Sequence, residues 1–97
     1  MAKHTSLIGG EWTDFGNYQA NVNPANTDDI IGEYSYADAD GVDQAVAAAA
    51  AAKSAWANSN PQTRHDLLAA IGTKLAERAD EIGTLLAREE GKTLGEA

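Results

Sequence analysis

The hydrophobic and polar positions along this chain change rhythm once, near residue 37. Before it, short runs of strand-forming residues are separated by glycine and asparagine; after it, apolar residues recur at three- and four-residue steps. Leu7-Ile8 and Glu11-Trp12-Thr13 flank Gly9-Gly10, a pair that tolerates positive φ, so a strand–turn–strand unit is predicted. Asp14-Phe15-Gly16-Asn17 is a second turn signal, after which Tyr18 to Val22 can run extended. Pro24 keeps Asn23 out of the α region, and Asn26-Thr27-Asp28-Asp29 reads as a loop. Ile30 to Tyr36 then reads as a strand with Ile30, Gly32, Tyr34 and Tyr36 on one face and Ile31, Glu33 and Ser35 on the other. Three or so short strands with no helix between them predict an antiparallel β-ribbon over residues 1–37. Such a ribbon is too small to be stable unless it lies on something.

Residues 38–97 predict two or three α-helices. Asp38 or Asp40 can cap the first. Val42, Ala45, Val46, Ala49 and Trp56 form its apolar stripe, and the alanine run Ala47 to Ala52 favours helix while permitting close approach of a neighbouring element. Asn60-Pro61 restarts the helix with a capping side chain and a proline at the first helical position. Leu67, Leu68, Ile71, Leu75, Ala79, Ile82, Leu85 and Leu86 make one long stripe, which Asp80 or Gly83 can break in two. Gly91 is a natural stop, with Arg88 in the last turn complementing the helix dipole. A final short helix can start at Thr93.

Composition narrows the function classes. Seven Lys and Arg against fifteen Asp and Glu give a net charge of −8, which argues against nucleic acid and anionic membrane as partners. The 97 residues contain no cysteine, so disulfides, thiolate metal sites and thiol catalysis are excluded within them. No apolar run approaches the ~20 residues of a membrane span, and no signal-peptide pattern follows Met1, so the cytoplasm is the expected location. The candidate chemistry is sparse. His4 sits in what reads as a loose terminus and His65 on the polar part of a helix, both as surface histidines. Asp28-Asp29, Asp80-Glu81 and Glu89-Glu90 are sequence neighbours, which do not share a helix face and so form no acid–base dyad. Gly9-Gly10 and Gly91-Lys92 do not open a helix and so make no phosphate loop. Trp12, Trp56, Tyr18, Tyr34 and Tyr36 read as anchors that pack helices onto the ribbon. From the residues alone the chain is a ribbon-plus-helices module without an internal active site. Its apolar face (Leu67, Leu68, Ile71 and Leu75) also suits a stand-alone helical protein-interaction module.

Taken together, several pieces resemble the amino-terminal portion of NAD(P)-dependent aldehyde dehydrogenases. They are Ile8, Gly10, Glu11 and Trp12; Asn23-Pro24-Ala25; the Ile31-Gly32 strand; Val42, Ala45, Val46, Ala48 and Ala49 in a helix ending at Trp56; Arg64, Leu67, Leu68, Leu75, Arg78 and Leu85; and Glu89-x-Gly91-Lys92. Their order and spacing carry the resemblance, from about Leu7 to Ala97. The seven-residue loop Asn23 to Asp29, with Arg64-His65-Asp66 and Arg88 to Leu94, looks most like the subgroup acting on 2-oxoglutarate semialdehyde.

The resemblance implies an α/β, aldehyde dehydrogenase-like fold in which residues 1–97 are the amino-terminal part of the NAD(P)-binding domain of a larger enzyme, the ribbon and helices flanking its dinucleotide-binding fold. The catalytic and oligomerisation parts would lie elsewhere. The implied reaction is oxidation of an aldehyde to a carboxylic acid with NAD or NADP through a cysteine thiohemiacetal. The implied assembly is a homo-oligomer, a dimer or tetramer. None of the family's catalytic or cofactor-binding positions maps onto these residues, so the segment alone is expected to be inactive; a non-catalytic remnant that still joins the oligomer is the further alternative. One family site maps in part: a monovalent cation such as potassium, with Asn21, Val22 and Glu89 at the ligand positions. The isolated segment is expected to expose its Leu67–Leu86 stripe and to be partly molten or self-associated.

Overall fold

The computed structural model describes residues 2–97, and within them five short strands precede three helices. The strands are β1 (Lys3–His4), β2 (Ser6–Ile8), β3 (Glu11–Thr13), β4 (Tyr18–Val22) and β5 (Ile30–Ser35). The helices are α1 (Ala39–Ala57), α2 (Pro61–Glu77) and α3 (Ala79–Glu90). The α/β class expected from the sequence holds.

Gly9 and Gly10 have φ of 60° and 82°, the left-handed pair that a two-residue hairpin needs, and β2 and β3 pair antiparallel across them with Leu7 opposite Trp12. β4 and β5 also pair antiparallel, with a register shift between Asn21 and Val22: Asn21 faces Gly32, whereas Val22 faces Ile30. That extra β5 residue is a bulge, which bends the sheet where the Asn23 loop begins. β1 corrects the expectation of one antiparallel ribbon. It runs parallel to β5, giving the sheet order β1-β5-β4 with the β2–β3 hairpin separate. No short turn joins β1 to β5, so hairpin geometry does not dictate its direction. His4 is likewise not loose: its ring stacks on Tyr34 at 4.7 Å, and Lys3 lies over the Tyr18 ring. Gly32 makes room for it, since a Cβ there would come 3.2 Å from the His4 ring. Met1, where the loose start was expected to begin, lies outside the described residues.

Asp38 caps α1 by accepting a hydrogen bond from the Gly41 N–H at 2.8 Å, so of the two candidate caps it is the one used. The alanine run does admit a close neighbour: Leu7, Ile8 and Gly9 lie against Ala45, Ala48, Ala49 and Ala52. Asn60 caps α2 through the Thr63 N–H, with Pro61 at the first turn. The α2–α3 break falls at Arg78, not at Asp80 or Gly83. Arg78 leaves helical geometry (φ −107°, ψ 20°) and its guanidinium grips Glu81 with two hydrogen bonds, while Asp80 and Glu81 occupy the positive end of α3. Gly91 ends α3 in the left-handed conformation at φ 75°. Past it the expected helix from Thr93 does not form. A single turn closed by the Ala97 N–H on the Thr93 carbonyl stands in its place, too short to propagate.

Among the described residues only Gly32 and Gly41 are buried, and no hydrophobic side chain is. The aromatic anchors are the clearest departure from expectation. Trp12 is 72% exposed, and Trp56 and Tyr36 also stand open, because nothing among the described residues lies over their outer faces. Leu67, Ile71 and Leu75 of α2, with Ile82 of α3, line a shallow groove of about 280 Å³. No described helix is long and apolar enough to cross a membrane.

Candidate functional site

The most connected polar cluster lies where the loop after β4 meets the end of α3. The loop folds locally for reasons visible in its sequence. The Asn23 side-chain oxygen accepts from the Ala25 N–H at 2.9 Å, closing an Asx turn around Pro24, and the Asn26 N–H donates to the Asn23 carbonyl. The Asn23 N–H then donates to the Asp29 carbonyl at 3.0 Å, closing the loop at its neck. Pro24 and Ala25 lie beside the helix end, where a Cβ on Gly91 would meet them at ordinary contact distances of 3.4 and 3.7 Å, so it is the left-handed φ of 75° and not crowding that calls for glycine there.

Two side-chain links join the loop and its strand to α3. The first is between Arg88 and Asp29, where Nε and Nη2 donate to the two carboxylate oxygens at 3.0 and 2.6 Å. Asn23 Nδ2 adds a third hydrogen bond to the same carboxylate at 3.1 Å. The Arg88 hydrogen bonds first, and Asn23 second, hold the Asp29 carboxyl at a pKa of about 2, against the opposing pull of desolvation. The second link is a hydrogen bond from Asn21 Nδ2 to Glu89 Oε1 at 2.9 Å.

Of the three positions expected to hold a cation, the structure therefore brings Asn21 and Glu89 into contact and sets Val22 at the bulge beside them. The oxygens these three residues carry are a carboxylate, a side-chain amide oxygen, which here is not the atom facing Glu89, and a backbone carbonyl, the hard ligand type such a cation takes. No group of three or more His, Cys, Asp or Glu side chains suited to a metal forms among the described residues. A single carboxylate with neutral oxygens fits a monovalent ion better than a divalent one. The amide turns its N–H toward Glu89, and the same side chain turned over presents its oxygen instead.

The remaining candidates stay apart. His65 lies on the exposed side of α2 against Asp66 at 3.1 Å, and His4 belongs to β1. Glu90 pairs with Lys92 at 3.1 Å and Glu81 with Arg78, as exposed ion pairs. Sequence reasoning missed the Asp29–Arg88 pair. It assigned Asp29 to turn chemistry and Arg88 to the helix dipole, and no local pattern links residues 59 positions apart.

Comparison with known proteins adds three kinds of match. The model of the aldehyde dehydrogenase family matches residues 12–97. Among curated proteins, the alpha-ketoglutarate semialdehyde dehydrogenase of Haloferax volcanii is 36% identical over 94 residues, covering 95% of this chain and 20% of that protein. The alpha-ketoglutaric semialdehyde dehydrogenase of Bacillus subtilis is 35% identical over 96 residues, covering 97% and 20%. A 1-pyrroline-5-carboxylate dehydrogenase of Bacillus licheniformis is 33% identical over 91 residues, covering 94% and 18%. The solved structure of 3,6-anhydro-L-galactose dehydrogenase in complex with NAP superposes with a TM-score of 0.90 at 26% identity, over 97% of this chain and 20% of that one. The chain spans about a fifth of the length of the curated relatives it matches.

Proposed function

The chain belongs to the aldehyde dehydrogenase family, and from that premise we propose that it is the amino-terminal segment of an enzyme that oxidises 2-oxoglutarate semialdehyde to the dicarboxylic acid with NAD(P)+. The observation that carries the reading is the family match over residues 12–97. The names of two relatives support the substrate, and the dinucleotide in the matching solved structure supports the cofactor. With no cysteine in these 97 residues, the nucleophile that forms the thiohemiacetal belongs to another part of the enzyme. When bound, a nicotinamide dinucleotide would supply the hydride acceptor for that oxidation. The role of this segment is structural support. Its exposed stripe of Leu67, Leu68, Ile71 and Leu75 lies against the dinucleotide-binding domain, in an enzyme that works as a cytoplasmic homo-oligomer. The test is the full-length protein assayed against a panel of aldehydes with NAD+ and NADP+. The expected result is nucleotide reduction with 2-oxoglutarate semialdehyde as the preferred substrate. No reduction with any aldehyde overturns the reading, and a higher kcat/KM for 1-pyrroline-5-carboxylate moves the substrate assignment.

A second site is favoured by one contact. We infer that Glu89, the Asn21 amide oxygen and the Val22 backbone carbonyl hold a monovalent cation such as potassium, supported by the 2.9 Å approach of Asn21 to Glu89 across 68 positions of sequence. Glu89→Ala in the full-length enzyme is expected to abolish any potassium-dependent rise in melting temperature. A response equal to wild type removes the site.

A further inference from the structure

The Asn21–Glu89 contact is a single exposed hydrogen bond between two elements far apart in sequence. Such a bond contributes little and does not by itself fix the spacing of a strand and a helix. The residues on either side form a closed ring of stronger links. Glu89 is the peptide neighbour of Arg88, and Arg88 grips both oxygens of Asp29. Asp29 is bonded to the Asn23 side chain and, through its carbonyl, to the Asn23 N–H. Asn23 leads back through Val22 to Asn21, which returns to Glu89.

A two-point arginine–carboxylate fork fixes direction as well as distance, which a point contact does not. The pair is also part-sheltered, with side chains 39% and 28% exposed, while Pro24 and Ala25 close against Gly91 on the same side. We propose that Asp29 and Arg88 are positioning residues for the cation site. They hold the bulged end of β4 against the last turn of α3 at the spacing at which Asn21 meets Glu89. This inference rests on the reading of Asn21, Val22 and Glu89 as cation ligands.

The experiment compares melting of the full-length enzyme in potassium chloride and in choline chloride at equal ionic strength. Wild type is expected to melt higher in potassium. Asp29→Asn and Arg88→Gln each keep Glu89 intact yet are expected to cut that potassium increment by at least half. Arg88→Lys, which keeps the charge but loses the fork, is expected to restore only part of it. Asp29→Asn and Arg88→Gln variants that melt lower in both salts while keeping the wild-type increment overturn the inference, leaving the pair as a plain structural tie. The cation reading fails separately: wild type then shows no increment, and the positioning role falls with it. If Glu89→Ala abolishes the increment while Asp29→Asn leaves it whole, the site stands and the positioning role does not.

Discussion

One chemical change, glycine to alanine, is expected to act with opposite signs at two helical positions. Gly41 lies in the first turn of α1 and is buried. A Cβ there would sit 2.7 Å from Cε1 of Phe15 and 2.8 Å from the Ala37 Cβ, closer than van der Waals contact allows. Relief has to come from the Phe15 ring, whose backbone N–H is held by the Ser35 hydroxyl, or from α1 itself. Moving α1 stretches the cap, because the Gly41 N–H is the group that Asp38 accepts. Overpacking of this kind costs about 1–3 kcal/mol, and weakening an N-cap costs about 1 kcal/mol. Alanine returns about 1 kcal/mol of helix propensity over glycine. The cap loss and the propensity gain cancel, so Gly41→Ala is expected to destabilise the full-length enzyme by about 1–3 kcal/mol, read as a lowered denaturation midpoint at unchanged slope. Gly72, in the interior of α2, has nothing within 4 Å of its would-be Cβ. Gly72→Ala is expected to raise the helix content of the 97-residue chain, through the roughly 0.5–1 kcal/mol by which alanine favours helix over glycine, followed by far-UV circular dichroism. A Gly41→Ala enzyme as stable as wild type refutes the steric argument.

Three further outcomes follow from particular contacts. Asn60→Ala removes the side chain that accepts the Thr63 N–H and is expected to cost about 1 kcal/mol of α2 stability; an unchanged melting curve would contradict that. The Asp29 carboxyl, followed by NMR, is expected to titrate near 2 instead of 3.8. Its folded pKa lies below its unfolded one, so the pairing contributes fully above pH 3.8 and is lost as pH falls toward 2. Titration near 3.8 would show that Arg88 does not hold it. Ile71→Glu places a charge in the α2–α3 groove, where the chain leaves Ile71 54% exposed. It is expected to reduce self-association of the isolated chain and to impair folding of the full-length enzyme; tolerance in both settings would mean that nothing covers the groove.

What could be read ahead of the structure was what short-range chemistry decides. Gly9-Gly10, Asn60-Pro61 and Gly91 each prescribe a local conformation through φ or a cap, and each was found in the expected role. The errors lie where a choice depends on distant residues. The direction of β1 is set by β5, across a long stretch of chain. The helix break lies at Arg78, where the guanidinium reaches Glu81, a side-chain contact that apolar periodicity does not encode. In the candidate site, Asn21 and Glu89 came from family resemblance. The pair beside them, Asp29 and Arg88, carried no local signal, since turn and helix-end roles account for each residue separately.

The apolar periodicity of α1 and α2 was legible as a pattern, yet the surface it implies is not covered. A monomer of 10.1 kDa ordinarily exposes about 5,300 Å², whereas this chain exposes 7230 Å². Its radius of gyration is 16.9 Å, against about 12.5 Å for a compact domain of this length. Covering the excess of roughly 1,900 Å² with a matching surface would bury about 3,800 Å² over both sides, in the range of a large, permanent interface. It is also apolar where it matters: Val42, Val46, Leu67, Leu68, Ile71 and Leu75 are all at least half exposed. Helical stripes in water are stabilised mainly by packing against a partner, and propensity alone holds such helices only marginally. The caps, the Arg78 corner and the Asp29–Arg88 fork therefore define the shape of the segment, while the stripes left open add little to its stability. A fold held this way makes the ion pair between Asp29 and Arg88 more consequential than its exposure suggests. It joins the strands to α3 where, among the described residues, no hydrophobic core does so.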